Sequence, residues 1–114
     1  MKKYFLAALL TVSSLTFVSA RIVNPVIPGD HPDPSVVEIN GEYWASATSN
    51  EWSPLFPIYK STDLENWELV NYVFPGGAPE WARNNFWAPE ISYDEKQGKV
   101  YIYYTCLLYT SDAA

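Results

Sequence analysis

The chain has little of what builds metal centres and disulfides: one cysteine, Cys106, and one histidine, His31, among 114 residues. A lone cysteine closes no disulfide within the chain, and a zinc site asks for three or four Cys, His or carboxylate ligands held together, so neither is supported. Basic residues are scarce as well. Between Arg21 and Thr105 there are 5 Lys and Arg against 12 Asp and Glu, a formal charge of −7. Nucleic-acid binders carry clustered Lys and Arg, so this balance argues against such a partner and suits a neutral ligand. Long apolar runs are missing with one exception. Residues 1–20 carry Lys2 and Lys3, an apolar run from Phe5 to Val18 and the small-residue sequence Val18-Ser19-Ala20, which reads as a secretory leader with its cleavage site. A short buried helix is the other reading. No other stretch approaches the ~18 to 20 apolar residues that cross a bilayer. The expected mature protein is exported, secreted or periplasmic, and holds no membrane span after the leader is removed.

The other end reads differently. Residues 106–114, Cys106 to Ala114, resemble the in-frame translation of a sequencing-library adapter, against the reading of a genuine apolar strand with a polar tail. The expected organisation is therefore a leader over 1–20, the N-terminal part of a domain over 21–105, and a non-native tail over 106–114.

What the chain does have is aromatic residues, 17% of the total with five Trp and nine Tyr. Such a composition favours β-structure. Ser35 to Ile39, Asn40-Gly41 and Glu42 to Thr48 form a strong hairpin signal, because Asn-Gly supplies the positive φ angles of a type I′ turn. Pro57 to Ser61 and Trp67 to Asn71 flank the polar turn Thr62 to Asn66. Ala88 to Tyr93 and Lys99 to Thr105 flank the turn Asp94 to Gly98. In the last strand Val100, Ile102 and Tyr104 alternate with Tyr101, Tyr103 and Thr105, the period of two expected of a strand.

The third hairpin echoes the first. Pro34 matches Pro89 at a separation of 55 residues, and Gly41 with Gly98 and Thr48 with Thr105 match at 57. Four strands per unit repeating near 50 residues is the pattern of β-propeller blades. A β-sandwich, with turn signals every 8 to 12 residues or so, is the competing architecture. In the propeller reading the chain holds one blade and about half of the next. Asp33 and Glu90, one position before and one after the matched prolines, then lie near the starts of channel-lining strands.

Asp33 is the candidate with the clearest setting. Gly29-Asp30-His31-Pro32-Asp33-Pro34-Ser35 places it between two prolines, which fix their own φ and push the preceding residue toward extended conformations. Stiff backbone suits a carboxylate that must be held within a fraction of an ångström, and it equally suits a turn. Asp30 reads as a turn residue, and His31 as a group that satisfies nearby backbone. Trp52, in the loop Ser49 to Pro54, is a candidate ring for stacking on a sugar, with core or loop packing as the equal alternative.

Three segments in order carry a family likeness. Asn24 to Ser35 with its His31-Pro32-Asp33-Pro34 core, Lys60-Ser61-Thr62-Asp63-Leu64-Glu65-Asn66-Trp67, and Trp87-Ala88-Pro89-Glu90 resemble motifs of glycoside hydrolase family 43, and they span Asn24 to Thr105. The resemblance implies an all-β, five-bladed propeller and an inverting glycosidase acting on arabinose- or xylose-containing plant polysaccharides. By position Asp33 is similar to the family's general base. The family's general-acid Glu and the Asp that tunes it come from later blades, so the polypeptide as given is expected to be inactive and incompletely folded. Glu90 belongs to the second-blade motif and reads as a pocket-lining or sugar-binding group, as does Trp87, with a structural role open for both. No cofactor is implied, a structural calcium in the intact protein is left open, and oligomeric state is not legible. A non-catalytic carbohydrate-binding propeller and a fructan-cleaving retaining enzyme remain as alternatives.

Overall fold

The computed structural model describes residues 21–108; the expected leader over 1–20 and residues 109–114 of the expected tail lie outside the described residues. Every regular element among the described residues is a strand. β1 (Ser35–Ile39), β2 (Glu42–Ser46), β3 (Leu55–Ser61) and β4 (Glu68–Phe74) form one antiparallel sheet in the order β1-β2-β3-β4. β5 (Ala82–Asp94) and β6 (Lys99–Leu108) pair as a second sheet. A four-stranded meander followed by the opening hairpin of another sheet is the arrangement that the internal repeat predicts.

Local chemistry sets the turns. Asn40 and Gly41 take φ of 54° and 82°, and Glu38 caps the turn by accepting the Gly41 N–H at 2.7 Å. Between β3 and β4 the Asp63 carboxylate accepts the N–H groups of Glu65 and Asn66 at 2.9 and 2.7 Å, the Asn66 side-chain amide at 2.7 Å and the Ser61 hydroxyl at 3.0 Å. These donors, led by the Asn66 backbone, hold its carboxyl well below the usual range for aspartate. Asp94 organises the β5–β6 turn in the same manner, accepting the N–H groups of Lys96 and Gln97 at 2.9 and 3.1 Å.

Strand ends depart from the sequence reading, and in β3 and β5 the longer strand takes in a proline. β3 begins at Leu55 rather than Pro57, and β4 runs on to Phe74. Pro57 lies beyond the pairing with β2, which begins at Ile58, so that neighbour requires no N–H from it. β5 begins six residues before Ala88 and carries Pro89 at an irregularity of its ladder between Trp87 and Glu90. A bulge is where a strand tolerates a residue with no N–H. β2 stops at Ser46, two residues short of Thr48. β6 continues through Leu108, so Cys106 to Leu108 of the expected tail extend the strand.

The core joins the two sheets. Leu55, Phe56, Ala82 and Phe86 are buried together, with Val73, Phe74, Tyr104 and Cys106 packed against them. Phe56 meets Phe86 edge-on at 6.0 Å and Tyr104 at 4.9 Å between ring centres, and Phe74 meets Tyr104 edge-on at 5.7 Å. Such tilted and edge-on geometries are those that ring quadrupoles favour. A second seam runs along an apolar cleft of about 430 Å³ lined by Ile39, Trp44, Ile58, Ile91, Val100 and Ile102. At the end of β2 the buried residues are small, Ala45 to Thr48, which lets β5 approach β1 closely enough for the Ile91 N–H to donate to Ser35 Oγ at 3.0 Å.

Candidate functional site

Asp33 directly precedes the proline that leads into β1, but its backbone is not extended. Its φ is +50°, in the left-handed region. Aspartate tolerates this region better than most residues, and the strain is of order 1–3 kcal/mol where the surroundings hold it in place. Two bonds from Thr48 do so. The Thr48 N–H donates to the Pro32 carbonyl at 2.9 Å, and its hydroxyl donates to Asp33 Oδ2 at 2.8 Å. The expectation of extended backbone at Asp33 is thus corrected: tertiary bonds to Thr48 override the preference that Pro34 imposes.

Thr48 also opens a contact with the second sheet. Its Oγ1 accepts the Ala88 N–H at 2.7 Å. The Asn50 N–H donates to the Phe86 carbonyl at 3.1 Å, and the Asn85 N–H donates to Glu51 Oε1 at 3.0 Å. Residues 48–51 therefore run antiparallel to residues 85–88. The ladder of β5 with β6 is irregular across this stretch, and Asn85 and Ala88 take φ of 61° and 49°. Those distortions release N–H groups from the β6 side, and the loop after β2 receives them.

The same loop forms one wall of a cleft of about 370 Å³ lined by Asp30, His31, Thr48, Trp52, Tyr59 and Tyr72 among others. Its size lies at the small end of the range for small-molecule sites, ~300–1,000 Å³. Trp52 is 77% exposed, which removes core packing as its role and leaves its ring face available. Tyr59 stands edge-on to His31 at 5.4 Å, and burial together with the neighbouring Tyr72 pushes its phenol up, so it keeps its proton at neutral pH. The His31 Nε2 bonds the Pro28 carbonyl at 3.2 Å, the backbone-satisfying role expected of it. Ser53, on the same wall, is closely overlain by Gly77: a Cβ there would meet its Oγ at 2.7 Å, and the φ of +91° favours glycine too.

Trp87 and Glu90 are placed otherwise. Trp87 is 45% exposed, so it is not a core residue, and its indole N–H donates to Asn50 Oδ1. It lines a shallow depression with Asn85, Thr105, Cys106 and Leu107. Asn50 joins the two regions, since it also lines the Trp52 cleft. Glu90 is exposed within β5 opposite Tyr103 and is not part of the Trp52 cleft. The structure thus links Asp33 through Thr48 to the Trp52 cleft on one side and to the Trp87-Ala88 backbone on the other. Thr48 and Asn50 were not singled out as functional residues. The one available signal was the match of Thr48 to Thr105, and the latter likewise reaches back across its hairpin, donating to the Trp87 carbonyl at 3.4 Å. Among the described residues, no group of three or more His, Cys, Asp or Glu side chains is placed to hold a metal ion.

Asp33 does not itself line the cleft but is bonded to Thr48, which does. A carboxylate so placed, next to aromatic rings, hydroxyl groups and Asp30, suits a polyhydroxylated ligand. Comparison with known proteins agrees. The family model described as glycosyl hydrolases family 43 matches residues 22–114. A xylosidase/arabinosidase 43B of Humicola insolens is 35% identical over 79 residues, covering 65% of this chain and 15% of that protein. A β-xylosidase of Bacillus subtilis (strain 168) is 34% identical over 90 residues, covering 75% and 16%. The crystal structure of a xylan β-1,4-xylosidase from Bacillus halodurans C-125 superposes with a TM-score of 0.64 at 35% identity, covering 74% of this chain and 17% of that one. The chain thus spans about one sixth of the length of these relatives.

Proposed function

The chain belongs to glycosyl hydrolases family 43, and on that premise we propose that the protein carrying it cleaves O-glycosyl bonds of arabinose- or xylose-containing plant polysaccharides or oligosaccharides, inverting the anomeric centre, with Asp33 as general base. The β1–β4 sheet and the β5–β6 hairpin are the first blade and the opening half of the second in a five-bladed propeller. The observation that carries the functional reading is the Asp33 carboxylate, held by the hydroxyl of Thr48, a buried residue that lines the aromatic cleft. The names of the relatives, xylosidase and xylosidase/arabinosidase, supply the substrate class.

In the inverting reaction Asp33 takes a proton from a water molecule as that water attacks the anomeric carbon. A carboxylic acid on the other side of the sugar protonates the departing glycosidic oxygen, and the two carboxyl groups stand about 6.5–9.5 Å apart to admit the water. The acid is contributed by a later blade, so the chain as given is expected not to hydrolyse glycosides. Trp52 offers a face for stacking within its cleft, and Trp87, bonded to the cleft residue Asn50, offers a second ring outside it. A sugar-binding part for Glu90, which lies outside the cleft, rests on the family motif alone. Water, one base and one acid suffice, so the route calls for no cofactor. The leader sequence over 1–20 supports export to the polysaccharide.

The test is hydrolysis of aryl β-xylosides and aryl α-arabinofuranosides by the full-length protein, with the first-formed anomer read by proton NMR. Release of sugar with inversion is the expected result. Retention would point to a fructan-cleaving type of mechanism, and sugar binding without hydrolysis to a binding propeller; either overturns the proposal.

A further inference from the structure

We propose that Thr48 is the positioning residue that orients the Asp33 carboxylate, and that it does so only because the second sheet fixes the direction of its hydroxyl. This rests on the reading of Asp33 as general base. A threonine hydroxyl has one hydrogen to donate and lone pairs to accept with. The Ala88 N–H occupies the acceptor side at 2.7 Å, and the hydrogen goes to Asp33 Oδ2 at 2.8 Å. Thr48 is 5% exposed, so its own side chain is largely shielded from water, although Asp33 and Ala88 on either side of it are exposed. Its own backbone is pinned to Pro32 at 2.9 Å, and β-branching restricts χ1. The donor is therefore fixed at its backbone, at its rotamer and at its hydroxyl. Asp33, by contrast, is exposed and would otherwise sample several rotamers. Tying down Oδ2 leaves Oδ1 to take the proton from the attacking water. The Ala88 N–H is free to play its part because β5 is irregular at that residue. The orientation of the base in the first blade is thus coupled to the docking of the second.

The test compares Thr48→Val and Thr48→Ser with Asp33→Asn in the full-length protein, reading kcat, KM and Tm. Valine keeps the branched shape and loses both bonds. Misplacement of a reacting group by about 1 Å costs on the order of 100-fold, so kcat is expected to fall about 10- to 100-fold while KM stays within about threefold. Serine restores the hydroxyl and should recover most of kcat. Adding Thr48→Val to Asp33→Asn should cause little further loss, because the threonine acts through the carboxylate. Should the valine variant not fold, Thr48→Cys, whose thiol is a weak donor, carries the test and should lose kcat in the same direction. Wild-type kcat in a folded Thr48→Val or Thr48→Cys protein overturns the proposal, as does an equal loss in the Asp33→Asn background. If Asp33→Asn itself retains activity, it is the general-base reading that has failed.

Discussion

Replacing Asp33 by asparagine removes one proton acceptor and disturbs little else. Asparagine tolerates the φ of +50° as readily as aspartate, and its amide oxygen can accept the Thr48 hydroxyl in place of Oδ2. Folding stability should therefore change by less than about 0.5 kcal/mol. Turnover should not survive. General-base catalysis contributes roughly 100- to 10,000-fold, which at about 1.36 kcal/mol per decade is about 2.7–5.4 kcal/mol of barrier. Asp33→Ala is the informative contrast. It loses the partner of a buried hydroxyl and places a residue that resists the left-handed region at φ +50°, a combined cost of about 1–3 kcal/mol after allowing for the exposure of the carboxylate. The two variants should thus share the catalytic defect and differ in stability. Azide needs no deprotonation to attack, so it should restore sugar transfer in Asp33→Ala and give a glycosyl azide of inverted configuration. The assay is nitrophenol release from aryl β-xyloside and aryl α-arabinofuranoside by the full-length protein, with unfolding followed by calorimetry. A folded Asp33→Asn enzyme within about threefold of wild-type kcat would refute the reasoning, since a general base cannot be dispensable.

Three further outcomes are expected. Trp52→Ala removes an exposed ring from the cleft and should raise KM about 2- to 10-fold with kcat retained, in line with the ~0.5–1.5 kcal/mol of an aromatic contact; unchanged KM would take Trp52 out of the sugar site. Phe86→Ala empties the centre of the ring cluster that joins the two sheets and should cost about 3–5 kcal/mol in denaturant titration, whereas a loss under about 1 kcal/mol would mean that the cluster contributes little. Asp63→Ala tests the β3–β4 turn through pH: because the folded carboxyl is held below its unfolded value, its stabilisation is fully present above about pH 4 and is lost as pH falls further. The Tm gap between wild type and Asp63→Ala should accordingly be constant from neutral pH to about pH 5 and shrink at lower pH, and a gap independent of pH would contradict the role of the charge.

The features legible in the sequence are those set by a few consecutive residues. Asn40-Gly41 announces its turn because few other pairs accept two positive φ angles in a row, and both do so here. The Thr62 to Asn66 turn is legible for a similar reason, since the Asp63 side chain bonds backbone within three residues of itself. The extent of β5 is not legible, because the expected strand starts at Ala88 and no local pattern shows that it continues back to Ala82 through an irregular ladder. Nor is the conformation of Asp33: local rules favour extended backbone before Pro34, and bonds from Thr48, 15 residues away, decide otherwise. Thr48 itself shows why such residues escape notice. Its importance lies in linking Asp33 to Ala88, which is 40 residues further on, and no local pattern records that.

The hydroxyl residues around Asp33 have a common structural cause. Phe56 and Ala88 both take positive φ, at 52° and 49°, which is costly for such residues and turns their N–H groups out of the regular ladder. Each N–H is met by a hydroxyl from the loop after β2: Ser49 Oγ accepts Phe56 N–H at 3.1 Å, and Thr48 Oγ1 accepts Ala88 N–H at 2.7 Å. Without them two backbone donors at least partly buried would go unpaired, at about 1–3 kcal/mol each. The distortion at Ala88 in turn has a use, because a bulge re-aims neighbouring side chains, and the neighbour is Trp87, exposed beside the site. One irregularity in β5 thus turns an indole outward and lends an N–H to Thr48, which passes its own hydrogen to Asp33. The exposed Trp87 ring and the Asp33 carboxylate are both tied to the same short piece of backbone, so a change that regularised β5 would disturb both together.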